Sequence, residues 1–295
     1  MRSLQKQQAG FTLVEMIVVM VITGIIGGMV AIFIRAPVQG YMDSARRAEL
    51  TDIADTALRR MARDVRSAVP NSVRLPGASC VAAAATPCYV EFLPTRDGGR
   101  YRANTPGNVL TFGALDGSFD IVGTPINFAK GDFIVVGSTQ SDGNPPYDES
   151  SAGILRSYSS QTLVGGVQTV NFTNTALPIW AELPSQRFDV VDAAQQAVTY
   201  ACLNVGVNGG VGTGTLTRYW SYGFQATQQT PAGIAANTAP VVSHAAAILA
   251  DKVSACQIEY DVPSQRFGLL AVRLTLTSGG ESVSLYNEIH VNNAP

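Results

Sequence analysis

Few groups in this chain have the type and setting to do chemistry, and Glu15 has the most unusual setting of them. It closes the string Gly10-Phe11-Thr12-Leu13-Val14-Glu15, and from Phe11 to Ile34 it is the only formal charge in 24 residues. An ionised carboxylate inside an apolar run is costly and needs a partner, unless it lies close enough to an interface to stay hydrated. Paired with a cation in hydrocarbon, it would be poorly screened and would fix the register between two helices. The second group is four cysteines, Cys80, Cys88, Cys202 and Cys256, all beyond the apolar run. An even number on an exported chain reads as two disulfides. Cys80 and Cys88 are eight apart across an alanine-rich loop containing Pro87, and the spacing predicts a local bridge. Cys202 and Cys256 fall in adjoining strand regions and form the second expected pair.

No other constellation carries a reaction. The two histidines, His244 and His290, are 46 residues apart, and His290 sits between Ile289 and Val291 on the expected solvent side of a strand. There is no Cys-x-x-Cys pair to suggest zinc, and the glycine-rich stretch 206–214 lacks phosphate-loop spacing. No Gly-x-Ser-x-Gly elbow occurs. Asp142, Asn144, Asp148 and Glu149 offer calcium-type oxygens, but Pro145 and Pro146 break the loop spacing. The expectation is a non-enzyme with no catalytic residue, no metal and no cofactor. A net charge of −2 gives no basis for bulk nucleic-acid binding.

The elements that must position Glu15 follow from periodicity. The run 11–34 rises about 36 Å as a helix, enough to cross a hydrocarbon core of about 30 Å. A polar stretch with Arg2 and Lys6 precedes it and ends in Gly10. A secretory signal peptide has the opposite order, its small-residue site following the apolar region. Gly24 and Gly28 share one face of the run and admit a close neighbour; Pro37 marks the position of any bend. Beyond it, Leu50, Ile53, Ala57, Met61, Val65 and Ala68 recur at spacings of three and four, so the helix continues to about residue 67 with one face for a sheet. Its other face interleaves six arginines with five acids, including Asp43/Arg47 and Asp55/Arg59 at i,i+4. Pro70 and Asn71 end it.

After Asn71 the pattern changes to short strands and turns, in keeping with 28 glycines and 15 prolines. Strands are expected at 89–93, 100–103, 109–112, 119–122, 132–136, 167–172, 188–191 and 197–205. Turns are expected at Asp97-Gly98-Gly99, Pro106-Gly107 and Asp116-Gly117, with a polar loop at 141–151. Asn208-Gly209 marks a hairpin whose return strand is 215–224. Residues 226–240 read as a loop, and 248–262, 269–277 and 282–291 as a terminal antiparallel meander.

The order Gly-Phe-Thr-Leu-Val-Glu ahead of a membrane-length apolar run resembles the type IV prepilin family. That resemblance implies cleavage between Gly10 and Phe11 by a membrane-embedded prepilin peptidase. It implies N-methylation of the new terminus on Phe11, and pairing of Glu15 with the cut amino terminus of a neighbouring subunit during assembly. The fold implied is α+β: a long N-terminal helix, membrane-spanning in its first half, on an antiparallel β-rich periplasmic head of pilin or pseudopilin type. The divisions expected are a leader at 1–10, a transmembrane half-helix at 11–36, an exposed half-helix at 37–69 and a globular head at 70–295. The strings Arg35-Ala36-Pro37-Val38, 41–52, 58–64, 187–191 and 290–295 resemble minor pilin-like proteins of mannose-sensitive haemagglutinin (MSHA) pilus biogenesis. The partners implied are prepilin peptidase, other major and minor pilins, and an inner-membrane assembly platform in a Gram-negative cell. A type II secretion pseudopilin and a tip adhesin remain as alternatives.

Overall fold

The computed structural model describes residues 10–139, 146–264 and 267–293. Two units make up the chain, 1–49 and 50–295. The first helix, α1, runs over Leu13–Arg66 and keeps its helical assignment through Pro37. From Phe11 to Ile34 apolar residues cover all its sides, Glu15 being the one charge, and each of these residues is exposed. It is long and apolar enough to cross a membrane.

In the second unit the chain order after α1 is β1 (Ser79–Val81), β2 (Cys88–Phe92), β3 (Thr95–Tyr101), β4 (Ser118–Val122), β5 (Phe133–Val136), β6 (Leu155–Val164), β7 (Val167–Phe172), a 3-10 turn at Ile179–Ala181 and β8 (Arg187–Val191). There follow β9 (Val198–Leu203), β10 (Val207–Asn208), β11 (Val211–Gly212), β12 (Gly214–Trp220), a one-turn helix α2 (Pro231–Ala235), β13 (Ala245–Ser264), β14 (Phe267–Ser278) and β15 (Glu281–Asn292). One sheet has the order β15-β14-β13-β12-β9-β2, with β1 also on β13; β3-β4-β7-β6-β5-β8 close into a barrel. The named strand pairings are antiparallel. The barrel is therefore an insertion between β2 and β9, two neighbours in the main sheet. The terminal meander pairs without a register slip between β14 and β15.

The expected stripe covers the sheet. Leu50, Ala54, Ala57, Leu58, Met61, Ala62 and Val65 are buried in one cluster with Val90, Tyr200, Leu216, Ile258 and Leu274. Side chains alternate along a strand, so the next residues of β2 and β9, Tyr89 and Ala201, join a second cluster with Val135, Leu155 and Val191 of the barrel wall. The central strands are thus buried on both faces, which is why β2 and β9 read as near-continuous apolar runs. Aromatic rings fill the barrel: Phe119 lies 5.1 Å from Phe188, 5.8 Å from Phe172 and 6.4 Å from Tyr101 by ring centroid.

Three expectations need correction, and one strand lies where none was expected. Asp97-Gly98-Gly99 is not a turn; it lies inside β3, paired with β8 beside a register shift. The glycines are there because the backbones crowd: a Cβ on Gly99 would sit 2.8 Å from Ile126 Cδ1, and one on Gly98 3.1 Å from the Phe188 carbonyl oxygen. Residues 109–112 do not form a strand; Leu110 bonds back to Arg102 and Phe112 makes a single bridge to Leu177. The segment 155–164, with no strand signal in its polar half, is the ten-residue β6. Within the expected loop 226–240, Thr230 caps α2 by accepting from the Gly233 N–H, with Pro231 as the first helical residue.

Candidate functional site

The start of α1 has a local geometry that sequence inspection passed over. Thr12 N–H and the Thr12 hydroxyl both donate to Glu15 Oε2 at 2.9 Å, and Glu15 N–H donates to Thr12 Oγ1 at 3.3 Å. This is a capping box, Thr-x-x-Glu, in which two side chains satisfy helix-end donors reciprocally. The signal was legible as Thr12 and Glu15 three apart ahead of an apolar run. Glu15 is therefore neither a bare charge nor a spent one. One oxygen is held by Thr12, and a carboxylate has further lone pairs for a cation. Phe11, just before the box, is 85% exposed. A Cβ added to Gly10 would meet nothing within 4 Å, so nothing in the described fold requires glycine there. The same open space surrounds Gly24 and Gly28.

The head holds its charges in closed networks. Asp64, read in sequence as part of a solvated helix face, is turned toward the sheet. Its Oδ2 accepts from the Tyr200 hydroxyl at 2.8 Å and from Arg218 Nε at 2.9 Å. Arg218 also donates to Gln195 Oε1 at 2.7 Å and stacks 4.9 Å from the Trp220 ring. This network ties residue 64 of α1 to β9 and β12. In the seam between sheet and barrel, the fully buried Glu91 accepts from Arg74 Nε at 2.7 Å and from the Tyr222 hydroxyl at 2.8 Å. Burial pushes the Glu91 carboxyl up, and Arg74 and Tyr222 oppose that. The Arg74 guanidinium lies 3.7 Å above the Tyr147 ring.

Asp189 is held more loosely. Its Oδ2 accepts from the Ser138 hydroxyl at 3.3 Å, and burial raises its pKa to about 6. It lines a cavity of about 280 Å³ with Arg66, Arg187 and Leu183. A wider cleft of about 540 Å³ runs past Phe133, Tyr222, Phe224 and Gln196. The first cavity brings the Ser138 hydroxyl onto Asp189, and among the described residues neither cavity is lined by a histidine or a cysteine.

The disulfides are Cys80–Cys88, with Cα atoms 5.3 Å apart, and Cys202–Cys256, at 6.3 Å. They lie close together, since Cys88 is the cross-strand partner of Cys202. His290 is exposed between buried neighbours, and His244 Nδ1 shares a hydrogen bond with Asn237 at 2.8 Å. Of the calcium-type oxygens, Asp148 bonds Ser150 and Glu149 bonds Ser157. Asp142, Asn144 and Pro145 lie outside the described residues, as do Arg2 and Lys6 of the leader and the final Ala294-Pro295. Among the described residues, no group of three or more His, Cys, Asp or Glu is placed to hold a metal.

A capped apolar helix behind a Gly-Phe junction, followed by an antiparallel head, is the arrangement expected of a type IV pilin-like chain. The family described as "Prokaryotic N-terminal methylation motif" matches residues 5–31, which contain Gly10, Phe11 and Glu15. That match supports a type IV prepilin-like protein, anchored in a membrane by its N-terminal helix and processed by prepilin peptidase. No curated protein and no solved structure matches the chain.

Proposed function

We propose that the chain is a minor type IV pilin-like subunit of an MSHA-type pilus, most like the O component of its biogenesis set. Prepilin peptidase cuts it between Gly10 and Phe11, Phe11 is N-methylated, and the mature protein is inserted into or primes the pilus. The reading places residues 1–10 as leader, 11–36 in the inner membrane of a Gram-negative cell and the head in the periplasm, with passage to the cell surface on assembly. Other pilins are met through the N-terminal helices at an inner-membrane platform.

The observation that carries the pilin-like part of this reading is the Gly10-Phe11-to-Glu15 segment matched to the methylation motif; the MSHA part rests on the strings 41–52, 58–64, 187–191 and 290–295. The segment's glycine answers to no packing need of the described fold, which fits a small residue kept for an external partner such as a peptidase. Gly10→Leu is expected to leave the unshortened precursor in the membrane; normal shortening of that variant contradicts the reading. A type II secretion pseudopilin shares the same segment. Deleting the gene and scoring piliation against secretion separates the two: loss of MSHA-type pili supports the proposal, and loss of secretion alone supports the alternative.

A further inference from the structure

We propose that the cavity between the end of α1 and the barrel wall binds a small zwitterion of the amino-acid class, its ammonium group on Asp189 and its carboxylate on Arg66 and Arg187. The inference goes beyond the pilin-like reading and does not rest on it.

Elsewhere in the head, acids turned inward are closed by an arginine: Asp64 by Arg218, Glu91 by Arg74, Asp120 by Arg102 and Asp132 by Arg96. Asp189 departs from that pattern. Its Oδ2 has one bond, 3.3 Å from the Ser138 hydroxyl, and its Oδ1 accepts no hydrogen bond among the described residues. Burial makes its charge costly, and Arg187 acts on it through space without bonding it. Two arginines line the same cavity: Arg66, the last residue of α1, and Arg187, two positions before Asp189 on one side of β8. Both are exposed, and among the described residues neither guanidinium makes an ion pair or hydrogen bond.

The fold keeps these charges apart. Asp189 is pinned by pairing on both sides, to Gly98 of β3 and to Val135 of β5, so its carboxylate stays at the cavity wall. A Cβ on Gly98 would reach 3.4 Å from Asp189 Oδ1, so glycine leaves that oxygen open. A metal ion does not suit the site, since two arginines repel it and no second acid lines the cavity. A simple anion suits the arginines but is repelled by Asp189. A molecule carrying both charges satisfies all three groups with charge-assisted bonds. Ala68, Pro70 and Leu183 give its carbon skeleton an apolar wall. The cavity of about 280 Å³ lies just under the roughly 300 Å³ at which ligand pockets usually begin, which limits the ligand to one small molecule.

The test is calorimetry on the full-length chain in detergent at pH 7.5, where Asp189 is ionised. The probes are glycine, β-alanine, γ-aminobutyrate and L-leucine, with propionate and propylamine as single-charge controls. At least one zwitterion should bind about tenfold or more tightly than either control. Asp189→Asn keeps the side chain's shape and should weaken that probe about tenfold or more, with folding checked by urea unfolding. Arg187→Gln, at an exposed side chain the fold does not bond, should do the same and serves if Asp189→Asn misfolds. Arg66→Gln with Arg187→Gln should abolish binding. The proposal is overturned if no zwitterion binds, if propionate or propylamine binds as tightly as the best zwitterion, or if the best probe is indifferent to these substitutions.

Discussion

Replacing Glu15 by Gln and, separately, by Ala divides its two roles. The capping box uses Glu15 as an acceptor for the Thr12 N–H and hydroxyl, each at 2.9 Å. A glutamine carbonyl accepts the same bonds, so Glu15→Gln keeps the box and removes only the charge. Glu15→Ala removes both. Loss of a cap costs about 1 kcal/mol, which frays the first turn of a 54-residue helix without unmaking it. Removing one member of a desolvated ion pair costs about 3–5 kcal/mol, or about two to four orders of magnitude in an assembly equilibrium. Both variants should therefore be cleaved, inserted and present at normal level, and both should fail to incorporate to nearly the same extent. The assay complements a deletion strain and compares leader removal, protein level and surface pili. Normal piliation with Glu15→Gln would refute a charge-based role for Glu15, whatever Glu15→Ala does. A fall in protein level with Glu15→Ala alone would assign the residue to helix capping.

The head yields predictions that do not depend on assembly. Asp64→Ala strands the Arg218 guanidinium between Tyr200 and Trp220, and should destabilise the head by about 2–4 kcal/mol; Asp64→Ala with Arg218→Met should recover much of that loss, measured by urea unfolding. Asp189 gives a pH signature. Its pKa is raised from 3.8 to about 6 by burial, so ionisation opposes folding: the penalty is absent below the unfolded value and full once the pH passes the folded one. Asp189→Asn should thus stabilise the head at pH 7.5, by about 3 kcal/mol at most, and show no gain at pH 3.5. An equal gain at both values would remove the electrostatic cause.

What could be read from sequence was what local periodicity encodes. The Leu50-to-Ala68 stripe, the terminal meander and the cysteine pairs follow from spacing, and each has a short-range or strongly patterned signal. The barrel was not legible because its closure depends on β3 meeting β8, Thr95 against Val191, across nearly a hundred residues. Its glycines mislead for the same reason: Gly98 and Gly99 look like a turn until the Phe188 backbone and ring that crowd them are known. The exposed part of β6, Ser160 to Thr162, is held by pairing with β7 and not by burial, so no apolar alternation marks it. Asp64 looked like its solvated neighbours because charge type does not report which way a helix face turns; Tyr200 and Arg218 decide that from 136 and 154 residues away. At the N-terminus, the Gly10-Phe11 junction and Glu15 were explicit, and the Thr12 box was overlooked although its spacing was present.

The most direct measurement is the intact mass, with N-terminal fragmentation, of the protein recovered from the membranes of cells that make it. The account predicts a chain that begins at Phe11, lacks residues 1–10 and carries one methyl group on its amino nitrogen. A chain that still begins in the leader, or one cut after the apolar run, would contradict it.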